Sequence, residues 1–107
     1  MQKLNIEYIR SDNRGMLVQI NTDLWKQINY LCIEKDNSFG GHYHKHKKEL
    51  FYLARGKVKV NNVEIINPNE CFIINPLEKH TIYALENSEL VELLSEPYDK
   101  SDIFIDG

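Results

Sequence analysis

The chain has 107 residues, of which 42% are hydrophobic and 27% are charged, and its formal net charge is −3. These totals predict an ordinary soluble protein with a single domain over residues 1–107, large enough to bury one core. They argue against a protein that binds nucleic acid or an anionic membrane through its overall charge, because such proteins carry an excess of Lys and Arg.

Short segments rich in β-branched and aromatic residues follow one another along the chain, separated by Gly, Asn, Pro and Asp. Their composition and their spacing of roughly 6 to 12 residues predict the strands of an antiparallel sandwich or barrel. No long window carries a helical repeat of apolar residues, and the segment around Trp25 is expected to lead into a strand. The predicted strands cover residues 16–20, 28–34, 42–46, 49–54, 57–60, 63–66, 71–74, 81–85 and 89–94.

Turn residues separate these segments. The clearest hairpin has Asn61 and Asn62 between two alternating segments, because Asn tolerates the positive φ of a tight turn. Residues 67–70 (NPNE) and 75–78 (NPLE) predict two further turns, with Pro where no ladder hydrogen bond is needed. The tail, residues 96–107, is polar with two apolar clusters and is expected to pack across the barrel or against a neighbouring subunit.

The N-terminal residues lack the apolar stretch of a secretory signal, and no apolar run approaches the roughly 20 residues of a membrane span. Cys32 and Cys71 do not have the spacing of a zinc site. Two thiols in a chain of this size are typical of a reducing compartment, where each is expected to be a small buried apolar residue. We therefore predict a cytoplasmic protein without a membrane partner, with a Cys32–Cys71 disulfide as the open alternative.

Three of the four histidines, His42, His44 and His46, stand at alternating positions. Side chains at every second residue of a strand share one face, so the three imidazoles are expected to point the same way. The lysines of the run 45–48 are expected to mark the solvent side, which places the histidines inward. Inward imidazoles with Glu49 across a turn suit a divalent transition metal.

This run resembles the first motif of the cupin superfamily. In that motif, as here, an HxH pair (His42 and His44) is followed after four residues by Glu49 and after six more by Gly56. A second arrangement, with His44 and His46 as the pair, leaves too few residues before Glu49. The stretch 70–84 resembles the second cupin motif and supplies its histidine, His80. Within it, Glu70 and Ala84 replace a Gly and an Asn of the family pattern, and the turn before His80 is one residue shorter.

The resemblance implies an all-β fold: a double-stranded β-helix, or jelly-roll cupin barrel, with core motifs at 40–56 and 70–84 and a site in its mouth. It also implies a divalent transition metal (Fe, Mn, Ni, Zn, Co or Cu) held by His42, His44, Glu49 and His80. Such a site leaves positions open for a substrate. His46 is expected at the rim, or as a hydrogen-bond partner behind the ligands.

Three functions remain open. The first is a small metal-dependent enzyme acting on a small polar metabolite. The second follows from a resemblance to the sugar-modifying cupins, the epimerases and nucleotide-sugar ketoisomerases, in the histidine run and in the tail segment LSEPYDKSDIFID. In those relatives a histidine is the general base without an obligatory metal. That role implies His42 or His44 as base and a nearby tyrosine, Tyr83, as acid.

The third hypothesis is a barrel without enzymatic activity that binds or senses a small ligand, since one fold hosts many functions. An isomerase acting on nucleotide-sugars needs a basic residue for the diphosphate, and Arg55, Lys57 and Lys59 are candidates. In every case the expected partner is a small molecule. A homodimer is expected as well, because barrels of this size often pair through an edge strand.

Overall fold

The computed structural model describes residues 1–105, which form eleven β-strands and one 3₁₀ turn. The strands are short and alternate with turns, as the spacing of the apolar segments predicts. Their bounds are β1 (Gln2–Leu4), β2 (Tyr8–Asp12), β3 (Gly15–Gln19), β4 (Gln27–Ile33), β5 (Ser38–His42), β6 (Glu49–Arg55), β7 (Val58–Val60), β8 (Glu64–Ile66), β9 (Cys71–Ile74), β10 (His80–Ala84) and β11 (Ser88–Leu94), with the 3₁₀ turn at Lys100–Asp102.

The strands form two main antiparallel sheets and a separate hairpin. The first sheet has the order β1-β9-β6-β11-β4, the second has the order β5-β10-β7-β8, and β2 pairs only with β3. Apolar side chains from both main sheets, such as Phe51, Phe72, Val58 and Ile82, meet in one buried cluster. Two sheets closed on one core confirm the predicted all-β jelly-roll architecture.

The strand predicted over residues 42–46 is wrong in its position. The strand is β5, which ends where that prediction begins, because the residues after His42 leave the sheet. Gly40 and Gly41 both have positive φ, and Gly40 allows β5 to approach β10 closely: a Cβ there would lie 2.4 Å from the carbonyl oxygen of His80. A Gly-rich segment has low strand propensity, which is why the sequence pattern did not indicate β5.

The tail packs against the barrel, which is one of the two placements predicted for it. Phe104 pairs with Tyr43 through two backbone hydrogen bonds of 2.9 and 3.0 Å, and their rings stack. Both cysteines are free; Cys71 is buried as predicted, whereas Cys32 is exposed because it lies on the outer face of the edge strand β4. Within residues 1–105, no helix has the length and apolar character needed to cross a membrane.

Candidate active site

A pocket of about 200 Å³ opens at one mouth of the barrel. Its walls come from β4, β5, β6, β10 and β11 and from the tail, so that both main sheets contribute. Apolar side chains surround a small number of polar groups, as is typical of sites for small molecules. The lining residues are Asn29, Leu31, Phe39, Gly40, His42, His44, Lys47, Glu49, Phe51, His80, Ile82, Glu92, Leu94, Tyr98 and Ile103.

The polar groups converge because strand ends meet at this mouth. His42 is the last residue of β5 and is paired across the sheet with His80, the first residue of β10. Glu49 is the first residue of β6, and His44 lies just beyond β5. One candidate ligand atom from each of these four residues lies within 4.8 Å of the others. The fold therefore brings together all four residues that the cupin resemblance implied as ligands.

His44 is held at both ring nitrogens. Its Nδ1 donates to the backbone carbonyl of Asp102 at 2.5 Å, and its Nε2 lies 2.5 Å from Glu49 Oε1. A carbonyl oxygen and a carboxylate both accept, so these two contacts favour the imidazolium form, in which both nitrogens carry a proton. Burial disfavours this charge, but the hydrogen bonds to Glu49 and Asp102 outweigh it and raise the pKa of His44. Glu49 is buried too, and its pKa is lowered because the neighbouring histidines outweigh the desolvation.

The tail fixes the position of His44 through Asp102, whose side chain is buried. Its two carboxylate oxygens accept from the backbone N–H groups of Lys45 at 2.7 Å and His46 at 3.2 Å. Asp102 therefore anchors the connection between β5 and β6 by its side chain and orients His44 by its backbone. Such partners behind a site set the protonation and the direction of the groups in front of them.

The surroundings of the other two histidines have the opposite effect, because they lower the pKa. Burial lowers the pKa of His80, whose Nε2 is 3.8 Å from Glu49, beyond hydrogen-bond distance. Burial and the charge of His44 lower the pKa of His42. The rings of His44 and His80 meet His42 edge-on, at centroid distances of 4.8 and 4.7 Å. One pocket therefore raises the pKa of one imidazole and lowers the pKa of two others, and half-buried His42 faces the open space.

A second carboxyl group lies beside Glu49. Glu92 projects from β11 and accepts from the Asn29 amide at 2.8 Å. Burial, opposed by the Asn29 hydrogen bond and reinforced by the charge of Glu49, raises the pKa of Glu92 to about 7. We did not predict this residue. Its signal in the sequence is a Glu between Leu90 and Leu94, at an inward position of an otherwise apolar alternation.

Similar solved structures share this fold. The QdtA 3,4-ketoisomerase from Thermoanaerobacterium thermosaccharolyticum, a double mutant in complex with TDP, is 26% identical at TM-score 0.82 over 97% of this chain and 86% of that chain. A 3,4-ketoisomerase from Helicobacter canadensis is 22% identical at TM-score 0.84, covering 98% and 90%. The dTDP-4-dehydrorhamnose 3,5-epimerase from Sulfolobus tokodaii is 16% identical at TM-score 0.78, covering 89% and 70%. No protein-family model and no curated protein matches the chain.

The barrel has the cupin fold. By their names, the neighbours are two 3,4-ketoisomerases, one of them in complex with TDP, and an epimerase of a dTDP-sugar, and they support the resemblance to sugar-modifying cupins that the sequence indicated. The similarity extends over nearly the whole chain and over most of each neighbour, so it concerns the complete barrel rather than one motif.

The structure does not bring every predicted site residue to the pocket. Tyr83 is corrected: it alternates with the inward residues His80 and Ile82 on β10, so its phenol points outward and donates to Asp36 at 2.9 Å. His46 is exposed and does not line the pocket. The tyrosine at the pocket is Tyr98, in the tail segment that carries the resemblance to the ketoisomerases.

The residues considered for a diphosphate also lie elsewhere. Arg55 and Lys57 flank the turn after β6, about 20 Å from Glu49 at the rise of an extended strand. Arg55 forms an ion pair with Glu89 on the outer surface. Lys59 lies on the outer face of β7, beside Tyr83. The lysine at the pocket is Lys47. The sequence predicted Lys47 in a solvated turn, and this prediction is wrong because its side chain is buried.

The four converging residues fit a transition metal in kind, since imidazole nitrogens and a carboxylate oxygen are ligands that such ions accept. Their spacing is that of a hydrogen-bonded cluster. The 2.5 Å between His44 Nε2 and Glu49 Oε1 is shorter than the separation of about 3 Å or more between two ligands bonded to one ion at about 2.1 Å. A metal would have to displace a proton from His44 and separate this pair, so metal and proton compete for the site.

Proposed function

We propose that this cupin is an isomerase that moves a proton between carbon atoms of a keto-sugar carried on a nucleotide. The observation that carries the proposal is the arrangement of two histidines in one pocket: His44 is fixed between Glu49 and the carbonyl of Asp102, and His42 is open to the pocket. Their surroundings raise the pKa of His44 and lower the pKa of His42. Groups whose pKa values are pushed apart by their surroundings are the mark of acid–base catalysis. The names of the similar structures supply the substrate class.

His42 is the base in this scheme. It accepts the proton from the carbon next to the sugar's carbonyl group, and the electron pair of the broken C–H bond forms the C=C bond of an enediolate. Return of a proton to the former carbonyl carbon, with the proton of the neighbouring hydroxyl passing to the former carbonyl oxygen, gives the isomeric ketone. Return of the proton to the opposite face of the original carbon gives the epimer. Both outcomes are redox-neutral within the sugar, so the chemistry needs only proton transfer.

The remaining residues have supporting tasks. Burial and the positive charge of His44, against the pull of Glu49, lower the pKa of His42, which favours the neutral form that accepts a proton. Tyr98, at the pocket wall, is the acid whose phenol donates a proton to the sugar, the role predicted for Tyr83. Apolar side chains such as Phe39 and Ile82 exclude water from the reacting carbon.

The experiment is proton exchange from carbon. We expect the protein, incubated with TDP-4-keto-6-deoxyglucose in D₂O, to incorporate deuterium next to the carbonyl and to form a new keto-sugar, both measured by ¹H NMR. His42→Asn should lower the rate by about 10²- to 10⁴-fold, the range typical of a general base. His46→Asn, at the exposed rim, is the matched control and should keep the wild-type rate. Equal rates in wild type and His42→Asn would rule out His42 as the base.

A second candidate is the metal-dependent enzyme that the first cupin motif implies, and the cluster of His42, His44, Glu49 and His80 favours it. Those residues would hold a divalent ion that polarises the substrate's oxygen atoms. Metal analysis of protein purified without a histidine tag separates the two candidates. A stoichiometric transition metal that is lost in Glu49→Ala supports this second one. Isomerisation that persists after chelation supports the first, and metal-free protein that binds TDP without turnover supports a ligand-binding barrel.

A further inference from the structure

Tyr98 lies at the pocket wall although most of its surface is open to solvent. The residue is 63% exposed, and the Lys47 ammonium is 5.8 Å from the centroid of its ring. A side chain as exposed as this one gains little free energy from burial. The position of the phenol at the pocket therefore depends on how the backbone of Tyr98 is held.

The side chain of Gln27 holds that backbone. The Tyr98 N–H donates to Gln27 Oε1 at 2.8 Å, and this bond is named the amide tether below. Gln27 is the first residue of β4 and pairs in the sheet with Leu94, the last residue of β11. The chain thus leaves β11 beside Gln27, turns over residues 95–97 and is bound by the same residue again. Gln27 is half-buried and does not itself line the pocket.

Three hydrogen bonds in series fix the direction of the Gln27 amide. A backbone N–H can only donate, so the end of Gln27 that faces Tyr98 is its oxygen. The Gln27 nitrogen then donates to Asn29 Oδ1 at 3.1 Å, and the Asn29 nitrogen donates to Glu92 at 2.8 Å. Reversing the Gln27 amide would set two donors against each other at Tyr98 and two acceptors against each other at Asn29. The series therefore keeps Gln27 oriented to accept from Tyr98.

Tyr98 stands between two other attachments of the tail to the barrel. Ser95 is bonded to the connection between β5 and β6 through its N–H and its hydroxyl group. The carboxylate of Asp102 is bonded to the same connection. The ion pair of Lys26 with Glu96 is exposed and contributes little. Between these attachments, the amide tether is a main determinant of where Tyr98 lies.

We propose that Gln27 is a positioning residue that holds the phenol of Tyr98 at the substrate. This inference rests on the isomerase function proposed above, in which Tyr98 is the acid. As His42 takes the proton from carbon, the carbonyl π electrons move to oxygen and the phenol gives its proton to that oxygen. The phenolate regains a proton from the neighbouring hydroxyl group when the new ketone forms. Displacing a reacting group by about 1 Å can lower a rate by about 10²-fold.

The kinetic test is Gln27→Leu, which removes the acceptor of the tether. We expect kcat for TDP-4-keto-6-deoxyglucose to fall about 10- to 10²-fold, with affinity for TDP within about twofold of wild type, because TDP lacks the ketone. Gln27→Glu keeps an oxygen for the Tyr98 N–H and should restore most of the rate. Gln19→Leu, the same change on the exposed hairpin of β2 and β3, is the matched control and should keep the wild-type kcat.

A double-mutant cycle separates positioning of the phenol from a general structural role. Tyr98→Phe removes the phenol, so adding Gln27→Leu in that background should lower kcat by less than about twofold. A second loss as large as that in the wild-type background would show that Gln27 acts on something other than the phenol. That result would overturn the inference, as would a wild-type kcat in folded Gln27→Leu. Gln27→Ala carries the same tests if Gln27→Leu does not fold.

Hydrogen exchange of the Tyr98 backbone amide, followed by ¹⁵N NMR, tests the tether without any activity. Exchange should be at least about 10-fold faster in Gln27→Leu than in wild type and close to wild type in Gln27→Glu. Unchanged exchange in Gln27→Leu would refute the tether and leave the isomerase function standing. A wild-type protein that exchanges no proton from the keto-sugar would refute that function and the role of Gln27 in it, even where the amide exchange confirms the tether.

Discussion

The barrel interior is divided into an apolar region and a polar mouth that share the same strands. Along β6 the inward residues change from Glu49 to Phe51 and Leu53, and along β10 from His80 to Ile82. Both regions are buried, yet one holds the sheets together and the other collects charges that water would otherwise solvate. The comparison teaches that, among residues on the inward face of these two strands, the distance from the strand end decides whether a residue serves the fold or the chemistry.

The largest effect should come from breaking the apolar region. Phe72 is fully buried and stacks on Phe51 at a centroid distance of 5.1 Å. Phe72→Ala should lower the free energy of unfolding by about 3–5 kcal/mol, the range for removing a buried aromatic ring. Leu24→Ala, at a side chain that is 85% exposed, is the control and should change it by less than about 0.5 kcal/mol. Equilibrium unfolding in urea measures both, and similar losses in the two variants would contradict the division.

The next largest effect concerns the close contact between β5 and β10. Gly40→Ala places a methyl group against the backbone of β10 and forces a positive φ, so it should destabilise the fold by more than about 2 kcal/mol. Gly41→Ala has a positive φ as well but open space around it, and should cost about 1 kcal/mol.

Since β5 and β10 carry His42 and His80, Gly40→Ala should also lower the isomerisation rate of whatever protein remains folded. Urea unfolding together with the deuterium-exchange assay measures both effects. Equal destabilisation by the two substitutions would show that the close approach of the strands does not matter.

The sequence predicted the apolar region and the grouping of His42, His44 and Glu49 for physical reasons, whereas the resemblance to the cupins implied that His80 joins them. Alternating apolar residues and turn signals have a short-range period, and the spacing from His42 to Glu49 lies within one connection. Glu92, Lys47 and Tyr98 depend on long-range pairing. Glu92 reaches Glu49 only because β11 lies beside β6, and Tyr98 lines the pocket only because the tail packs there. Neither contact has a local sequence period, so neither was predicted.

The direction of the Lys47 side chain also depends on a contact that is distant in sequence. Its neighbours Lys45 and Lys48 are directed outward as a charged run predicts, and the segment leaves the regular strand after His42. Without the two-residue alternation, the direction of each side chain follows from the anchoring of the connection by Asp102. That anchor lies 55 or more positions away in the chain, in the tail.

The smallest predicted effect tests whether the polar mouth lowers stability in return for its chemistry. The pKa of Glu92 rises from 4.5 to about 7 on folding, so the folded state binds more protons than the unfolded state between these values. Stability linked to Glu92 is therefore fully present below pH 4.5 and is lost as the pH rises through 7. Glu92→Gln keeps the hydrogen-bonding shape without the charge. It should be more stable than wild type at pH 8, on the order of 1 kcal/mol after screening, with no such gain at pH 4.5.

Melting temperatures of wild type and Glu92→Gln across this range measure the difference directly, and Glu89→Gln, a partly exposed position on the same strand, is the control. His42, His44 and Glu49 titrate in both proteins, so their effects largely cancel in the comparison. A Glu92→Gln variant less stable than wild type at pH 8 would mean that ionised Glu92 is a stabilising partner, and the mouth would then support the fold as the apolar region does. A gain confined to alkaline pH would instead show that a carboxyl group held beside Glu49 opposes folding, and that its place in the pocket is explained by chemistry rather than by packing.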